Sequence, residues 1–392
     1  MKFCEIAKFL GFEKYPEALD EVYANMPKDD APACDLQVID SLEQEWGFFG
    51  KYYEVVKETA ATINADPIRS VWVKVAAKFA YDNPTPIART VPVPKADGTA
   101  VTDLLPLHIL LPQVPAAIAE YRRRGFDDSE IRSLMAGFRG GIRIVESQVG
   151  RPQVNTLYFG WLHHYSKVEI FNTEGFQFEL RKLPNDAMWI RNKKDGQVLC
   201  VMCRGIFDCT GTQAKGSKNY EDPQDPFTVT FSEDDEKFVG HGVYDNKVST
   251  QAREYLKTEW ECVARPGDNC MSLHIPRKAD ITMPALDKAV ASAKKIMTER
   301  FADLGGSEIY CSSWLLDPMH GVILGPDAKM TKFMERFVKH PIRNAGTSPF
   351  GYVFPVGVKD MTTLPENTTL QRGMKKLYVE GGCIYGYAGL LI

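Results

Sequence analysis

An α/β (α+β) chain in two parts, a helical first portion followed by a mixed-sheet second portion, is what the sequence predicts. Three observations carry this. At 392 residues the chain exceeds the usual reach of one hydrophobic core, so two domains are expected. Its apolar spacing follows a helical period up to about residue 165 and a period of two beyond it. Finally, Met271–Pro276, a helix-patterned run and Ile309–Pro318 read as strand, crossover helix, strand. Strands joined in this way usually lie parallel in one sheet, with a right-handed crossover.

The elements follow in order. Phe3, Ile6, Phe9 and Leu10 share a helix face, as do Leu36, Ile39, Leu42 and Trp46, and then Val71, Val75 and Phe79. Val91–Gly98 is rich in breakers and reads as a connector. Pro112 and Pro115 place the start of the next helix near Pro115. Asp127–Glu130 puts acidic residues in the first turn of a helix that runs to Val149, with Gly140 and Gly141 marking a close contact or a kink. Beyond residue 165, Val168, Ile170, Phe176, Phe178 and Leu180 alternate around a turn at 172–175, and a second hairpin is expected at 193–196. Residues 211–248 read as an elaborated loop with a short strand at 227–231. A strand ending at Pro276, a helix from Pro284 to Phe301, a strand at 308–316 and a helix at 328–337 follow. A strand at 352–358 and a helix at 366–378 complete the set.

Composition excludes several classes. The apolar fraction is 44%, the charged fraction 25% and the net charge -4, which fits a globular protein and not a basic nucleic-acid binder. The basic cluster Arg122–Arg124 reads as the end of a helix complementing its dipole. No run of about 20 apolar residues suggests a membrane span, and the N-terminus lacks the pattern of a secretory signal. Nine cysteines, an odd count without a framework, suggest reduced thiols in the cytoplasm. Cys200-Val-Met-Cys203 is half of a zinc ligand set, and in a strand its two thiols would point to opposite faces, so no metal is expected. His163 and His164 end a helix and read as a domain junction, and glycine-rich 381–389 reads as a close-packed tail.

Phe159-Gly-Trp-Leu-His-His164, Gly175-Phe-Gln-Phe-Glu-Leu180, Leu273-His-Ile-Pro276, Ser313–Pro318 and Leu364–Arg372 together resemble a family of bacterial acyltransferase-like proteins. That family has an N-terminal helical acyltransferase domain and a C-terminal domain like the GNAT N-acyltransferases. The resemblance implies domains at 1–165 and 166–392, the second with an insertion around 185–265. It implies acyl-CoA as co-substrate and a small-molecule or peptide amine as acceptor, with no nucleic-acid or membrane partner. It further implies that backbone groups around Ser272, Leu273 and Ile275 grip the thioester arm. Arg277, Lys278 and the following helix N-terminus would then take the phosphates. The loop departs from the family pattern: Arg277–Met283 has no glycine, and Asp280 would repel phosphate, so a carrier-bound thioester is the alternative donor.

His274 is the candidate general base, because histidine titrates near neutrality. Cys311 reads either as a nucleophile activated by His274, with Asp317 as the orienting carboxylate, or as a small buried hydrophobe. Tyr310 or Ser312 is a candidate proton donor. The resemblance implies direct acyl transfer. Cysteine-dependent transfer or thioester hydrolysis, and a non-catalytic GNAT-like binding or scaffold protein, are the alternatives.

Overall fold

The computed structural model describes residues 2–12, 14–27, 31–83, 98–215, 225–343 and 346–392. The expected connector at 91–98 lies outside them except for Gly98. The chain forms two compact units, Met1–Asn172 and Thr173–Ile392.

The first unit is helical: α1 (Phe3–Phe9), α2 (Ala18–Asn25), α3 (Leu36–Trp46), α4 (Tyr53–Ala65), α5 (Pro67–Asp82), α6 (Ala100–Leu110), α7 (Val114–Arg123), α8 (Asp128–Val149) and α9 (Thr156–Ser166). Short polar side chains start several of these helices by satisfying orphan N–H groups. Asp35 accepts from Gln37 and Val38, Asp66 from Ile68 and Arg69, and Asp127 forms a capping box with Glu130. The expected faces of α3 and α5 are buried at Ile39, Leu42, Trp46, Val75 and Phe79, whereas Phe9 of α1 is 64% exposed.

The start expected near Pro115 is found, with α7 beginning at Val114, but the sequence reading missed α6, which begins at Ala100, passes Pro106 and leads through a 3-10 turn at Leu111–Gln113 into α7. Pro112 and Pro115 sit in first turns, where the missing N–H has no intrahelical acceptor to lose. By length and composition Ala100–Arg123 could cross a membrane, unlike the expectation from sequence. Its most apolar window is 78% buried inside the protein, as in a core helix. In α8, Gly141 marks a close contact, since a Cβ there would meet Leu162 at 3.3 Å. Arg122 pairs with Asp128, and Arg123 and Arg124 with Glu120.

The boundary between the units falls in β1 (Ile170–Thr173). Strands β2 (Phe176–Lys182), β3 (Ala187–Asn192), β4 (Val198–Met202), β5 (Ile206–Phe207), β6 (Phe227–Thr228), β7 (Ser232–Glu233), β8 (Lys237–Tyr244), β9 (Lys247–Val248), β10 (Arg253–Leu256), β11 (Trp260–Ala264) and β12 (Asn269–His274) follow. Then come α10 (Met283–Arg300), β13 (Ile309–Ser313), α11 (Met319–Leu324), α12 (Lys329–Glu335), β14 (Phe337–Ile342), α13 (Thr369–Val379) and β15 (Gly386–Leu391). One sheet runs β2-β12-β13-β15-β14, and the other runs β10-β8-β4-β3-β11.

Three expectations are overturned here. The loop expected at 211–248 contains β8, the longest strand of the second sheet. Its β8–β9 hairpin turns at Asp245 and Asn246, both at positive φ (49° and 62°), a conformation these two residues tolerate well. Tyr352–Val358 is not a strand, and β14 takes the edge of the first sheet instead. Pro341 hid that strand from a pattern reading, yet an edge is where a strand accepts proline. The tail at 381–389 becomes β15, inserted between β13 and β14. Gly389 makes this possible: a Cβ there would meet the Cβ of Lys339 at 2.7 Å.

Candidate active site

Strand register sorts the side chains by sheet face, because partners in a ladder share a face and neighbours along a strand alternate. Ser272 lies opposite both Glu179 and Tyr310, and Ser312 lies opposite Ala388, which lies opposite His340. Glu179, Ser272, His274, Tyr310, Ser312 and His340 therefore share one face. Leu273, Cys311 and Lys339 lie on the other. The first face packs on the second sheet through Cys270, Tyr310, Ala388 and Leu390 against Trp189 and its neighbours.

The two parallel strands at the centre part company. β12 and β13 pair only at Met271–Ile309 and Ser272–Tyr310. Yet β12 stays paired with β2 as far as His274, and β13 with β15 as far as Ser313. Beyond Ser272 and Tyr310 the ladder between them ends while each strand is still held from its outer side. That opens a wedge at their C-terminal ends, where backbone groups facing the gap lack a strand partner. Such groups can bond an amide-bearing ligand.

His274 stands at the mouth of this wedge. Its Nε2 lies 2.9 Å from Oε2 of Glu179, a carboxylate that is only 5% exposed. A carboxylate accepts from Nε2–H, which puts the lone pair on Nδ1 and fixes the tautomer of a base. Arg181 Nη1 lies 3.8 Å from the other carboxylate oxygen. Reading the sequence alone missed Glu179. The only signal was a glutamate within an alternating strand, and its meaning depends on the β2–β12 register.

After β12 the chain turns through Ile275, which is half-buried, and through exposed Arg277 and Lys278. Lys278 holds φ 77°, the left-handed region where glycine is at ease and where another residue costs roughly 1 kcal/mol. The glycine-free loop thus still makes the tight turn. Asp280 accepts from Thr282 N at 3.0 Å, and this bond pulls its carboxyl below the ordinary range. No side chain caps the N-terminus of α10, and Pro284 occupies its first turn. The remaining N–H groups and the dipole of this 18-residue helix favour an anion there.

The other expected site residues go elsewhere. Tyr310 is 4% exposed and packs edge-on to Trp189 at 6.2 Å, and burial pushes its phenol up. This places it in the core, not at a reacting centre. Cys311 is 1% exposed with its thiol pushed up to about 12 by burial, on the face opposite His274. The paired role considered for Cys311 and His274 therefore lacks its geometry. Asp317 accepts from Met319 N at 2.8 Å and Tyr385 N at 2.6 Å, so it holds backbone. The carboxylate beside His274 is Glu179 instead. In the first unit, His163 is buried against Ala80 O at 3.1 Å, and His164 meets Glu169 at 2.9 Å.

The profile of the family described as the GNAT-like C-terminal domain matches residues 173–391. No curated protein matches the sequence. Among solved structures, the chain is similar to an acyltransferase in complex with CoA and 10C-teicoplanin, at 14% identity and a TM-score of 0.65. It is similar to a tryptophan-to-alanine acyltransferase mutant in complex with octanoyl-CoA, also at 14% and 0.65, and to an acyltransferase with decanoyl-CoA and teicoplanin at 15% and 0.60. In all three cases the match covers 100% of this chain and 99% of the other. At these identities the likeness is one of fold.

Proposed function

Because this chain belongs to the family of proteins with a GNAT-like C-terminal domain, we propose that it transfers an acyl group from acyl-CoA directly to an amine acceptor. The observation that carries this reading is the parting of β12 and β13 beyond Ser272 and Tyr310, beside the uncapped start of α10. The fold neighbours with bound CoA and acyl-CoA support it. In this reading residues 1–165 are the helical N-terminal acyltransferase domain, and 166–392 the GNAT-like domain with its insertion around 185–265.

The chemistry follows from the side chains. The thioester arm lies in the wedge, its amides bonded to backbone near Ser272, Leu273 and Ile275, and its phosphates lie over Arg277, Lys278 and the α10 N-terminus. A neutral amine attacks the thioester carbon, forming C–N as C–S breaks. Nδ1 of His274 takes the amine proton, Glu179 stabilises the imidazolium, and the imidazolium returns that proton to the departing thiolate, which leaves as the thiol. Backbone N–H groups along the wedge are placed to stabilise negative charge on the carbonyl oxygen.

No step uses Cys311, and this is the test. With octanoyl-CoA and a panel of amines, thiol release is expected to require the amine, and the intact protein mass to stay unchanged. Cys311→Ser is expected to keep turnover within about threefold and to cost stability by roughly 1–2 kcal/mol, since it buries a hydroxyl. A stoichiometric octanoyl adduct that disappears in Cys311→Ser would overturn direct transfer.

A further inference from the structure

A second cavity, of about 520 Å³, opens at the edge of the same sheet within the second unit. Met202, Ile206, Phe207, Ala214 and Ile342 give it an apolar lining. Three cations, Arg204, Lys215 and Arg343, border it against a single carboxylate, Asp186. Arg204 answers Asp186 at 3.2 Å, while the side chains of Lys215 and Arg343 have no hydrogen-bond or ion-pair partner among the described residues. An apolar pocket in a protein of net charge -4 that gathers two uncompensated cations is suited to an anion on an apolar body.

His340 adds a directional element. It is only 2% exposed and lines the cavity. Its Nδ1 donates to Pro341 O at 3.1 Å, so the lone pair is on Nε2, which has no partner among the described residues. Burial also disfavours the charged ring, which keeps Nε2 an acceptor. An N–H or O–H of a molecule in the cavity is the partner this acceptor suits.

The cavity's position ties it to the candidate active site. His340 lies opposite Ala388, which lies opposite Ser312, on the face that carries His274. It lies toward the sheet edge at which β12 and β13 part. Three strand spacings separate β12 from β14, and the wedge widens the first of them, so the two histidines stand at least about 15 Å apart across the sheet.

We propose that this cavity holds the far end of the amine acceptor: an apolar group ending in a carboxylate. Lys215 and Arg343 take the carboxylate, and His340 Nε2 accepts a hydrogen bond from the acceptor's N–H or O–H, at least about 15 Å from the reacting amine. The inference rests on the acyl-transfer reading and adds to it the acceptor's class and length.

The peptide Gly-Gly-Gly-Gly-Phe is a suitable probe, since five extended residues reach about 17 Å from amine to carboxylate. Calorimetric titration of the full chain compares it with its C-terminal amide, and CoA is titrated separately. The free carboxylate is expected to bind saturably at millimolar concentration, and the amide about tenfold more weakly. Lys215→Ala with Arg343→Ala is expected to remove that difference while leaving CoA affinity unchanged. Both side chains are exposed, so an unchanged thermal midpoint will show that the double variant is folded. Equal affinity for acid and amide, no binding of either, or a preference that survives the double variant overturns the proposal. If CoA fails to bind while the carboxylate preference holds, the acyl-transfer reading falls and the anion pocket stands.

Discussion

Replacing His274 by alanine is expected to lower kcat/KM for acyl transfer about 10²–10⁴-fold, the usual contribution of a positioned general base. The loss should fall on kcat, because His274 sits at the mouth of the wedge and the donor is held by backbone and by the helix start beyond it. Glu179→Gln should fall between the two. An amide oxygen can still accept from Nε2–H at the 2.9 Å contact, but a neutral group no longer stabilises the imidazolium, so a loss of about tenfold in kcat is expected. Steady-state kinetics with saturating acyl-CoA will check both. An alanine variant with wild-type kcat would remove His274 from the chemistry.

Asp317→Ala is expected to destabilise the fold by about 3 kcal/mol or more, without any role for Asp317 in the reaction. Its buried carboxylate receives Met319 N and Tyr385 N, tying the start of α11 to the approach of β15. Nearby Lys339 is 6% exposed, gives a hydrogen bond to Met334 O at 2.9 Å, and is drawn toward its charged state by Glu335 and, less strongly, by Asp317. Removing Asp317 strands two N–H groups and takes away that opposing charge.

Burial raises Asp317 from its ordinary 3.8 to about 6 and lowers Lys339 from 10.5 to about 8. The signs follow from which state binds more protons. Between pH 3.8 and 6 the folded state holds a proton on Asp317 that the unfolded chain has lost, so stability falls as pH rises. Between pH 8 and 10.5 the unfolded chain holds a proton on Lys339 that the folded state has lost, so stability rises with pH. Denaturant titrations from pH 7 to pH 9 should show that rise as a growing stability difference between the parent and Lys339→Met, because buried thiols such as Cys311, pushed up to about 12, lower stability over the same interval in both. A difference that stays constant or shrinks from pH 7 to pH 9 would contradict the assignment.

Much of the fold was legible where periodicity and capping agree. The 22-residue α8 announces itself through Asp127, Glu130 and its apolar stripe, and β12, α10 and β13 through a run of strand, helix and strand. The second sheet was legible only at its β3–β4 hairpin. β8 reads Lys-Phe-Val-Gly-His-Gly-Val-Tyr, whose glycines and charge mask its alternation, and only its pairing with β4 and β10 explains why it is extended. β14 failed for a similar reason: proline, lysine and histidine suit an edge strand packed on both faces, but no local pattern says so.

At the candidate site, His274 was readable as a histidine at a strand end. Its partner was not, because Glu179 is 95 positions away in sequence and meets it only through strand register. The same register puts Cys311 on the far face. A sequence can suggest which side chains are reactive, but the pairing of strands decides which of them meet.

The central claim is that the wedge and the start of α10 hold an acyl-CoA. Calorimetric titration with CoA, repeated on Arg277→Ala with Lys278→Ala, tests it most directly. Saturable one-to-one binding that the double variant weakens about tenfold is the expected result, as two charges on phosphate are lost while the helix start remains. Absence of saturation at millimolar CoA, or an affinity indifferent to both substitutions, would contradict it.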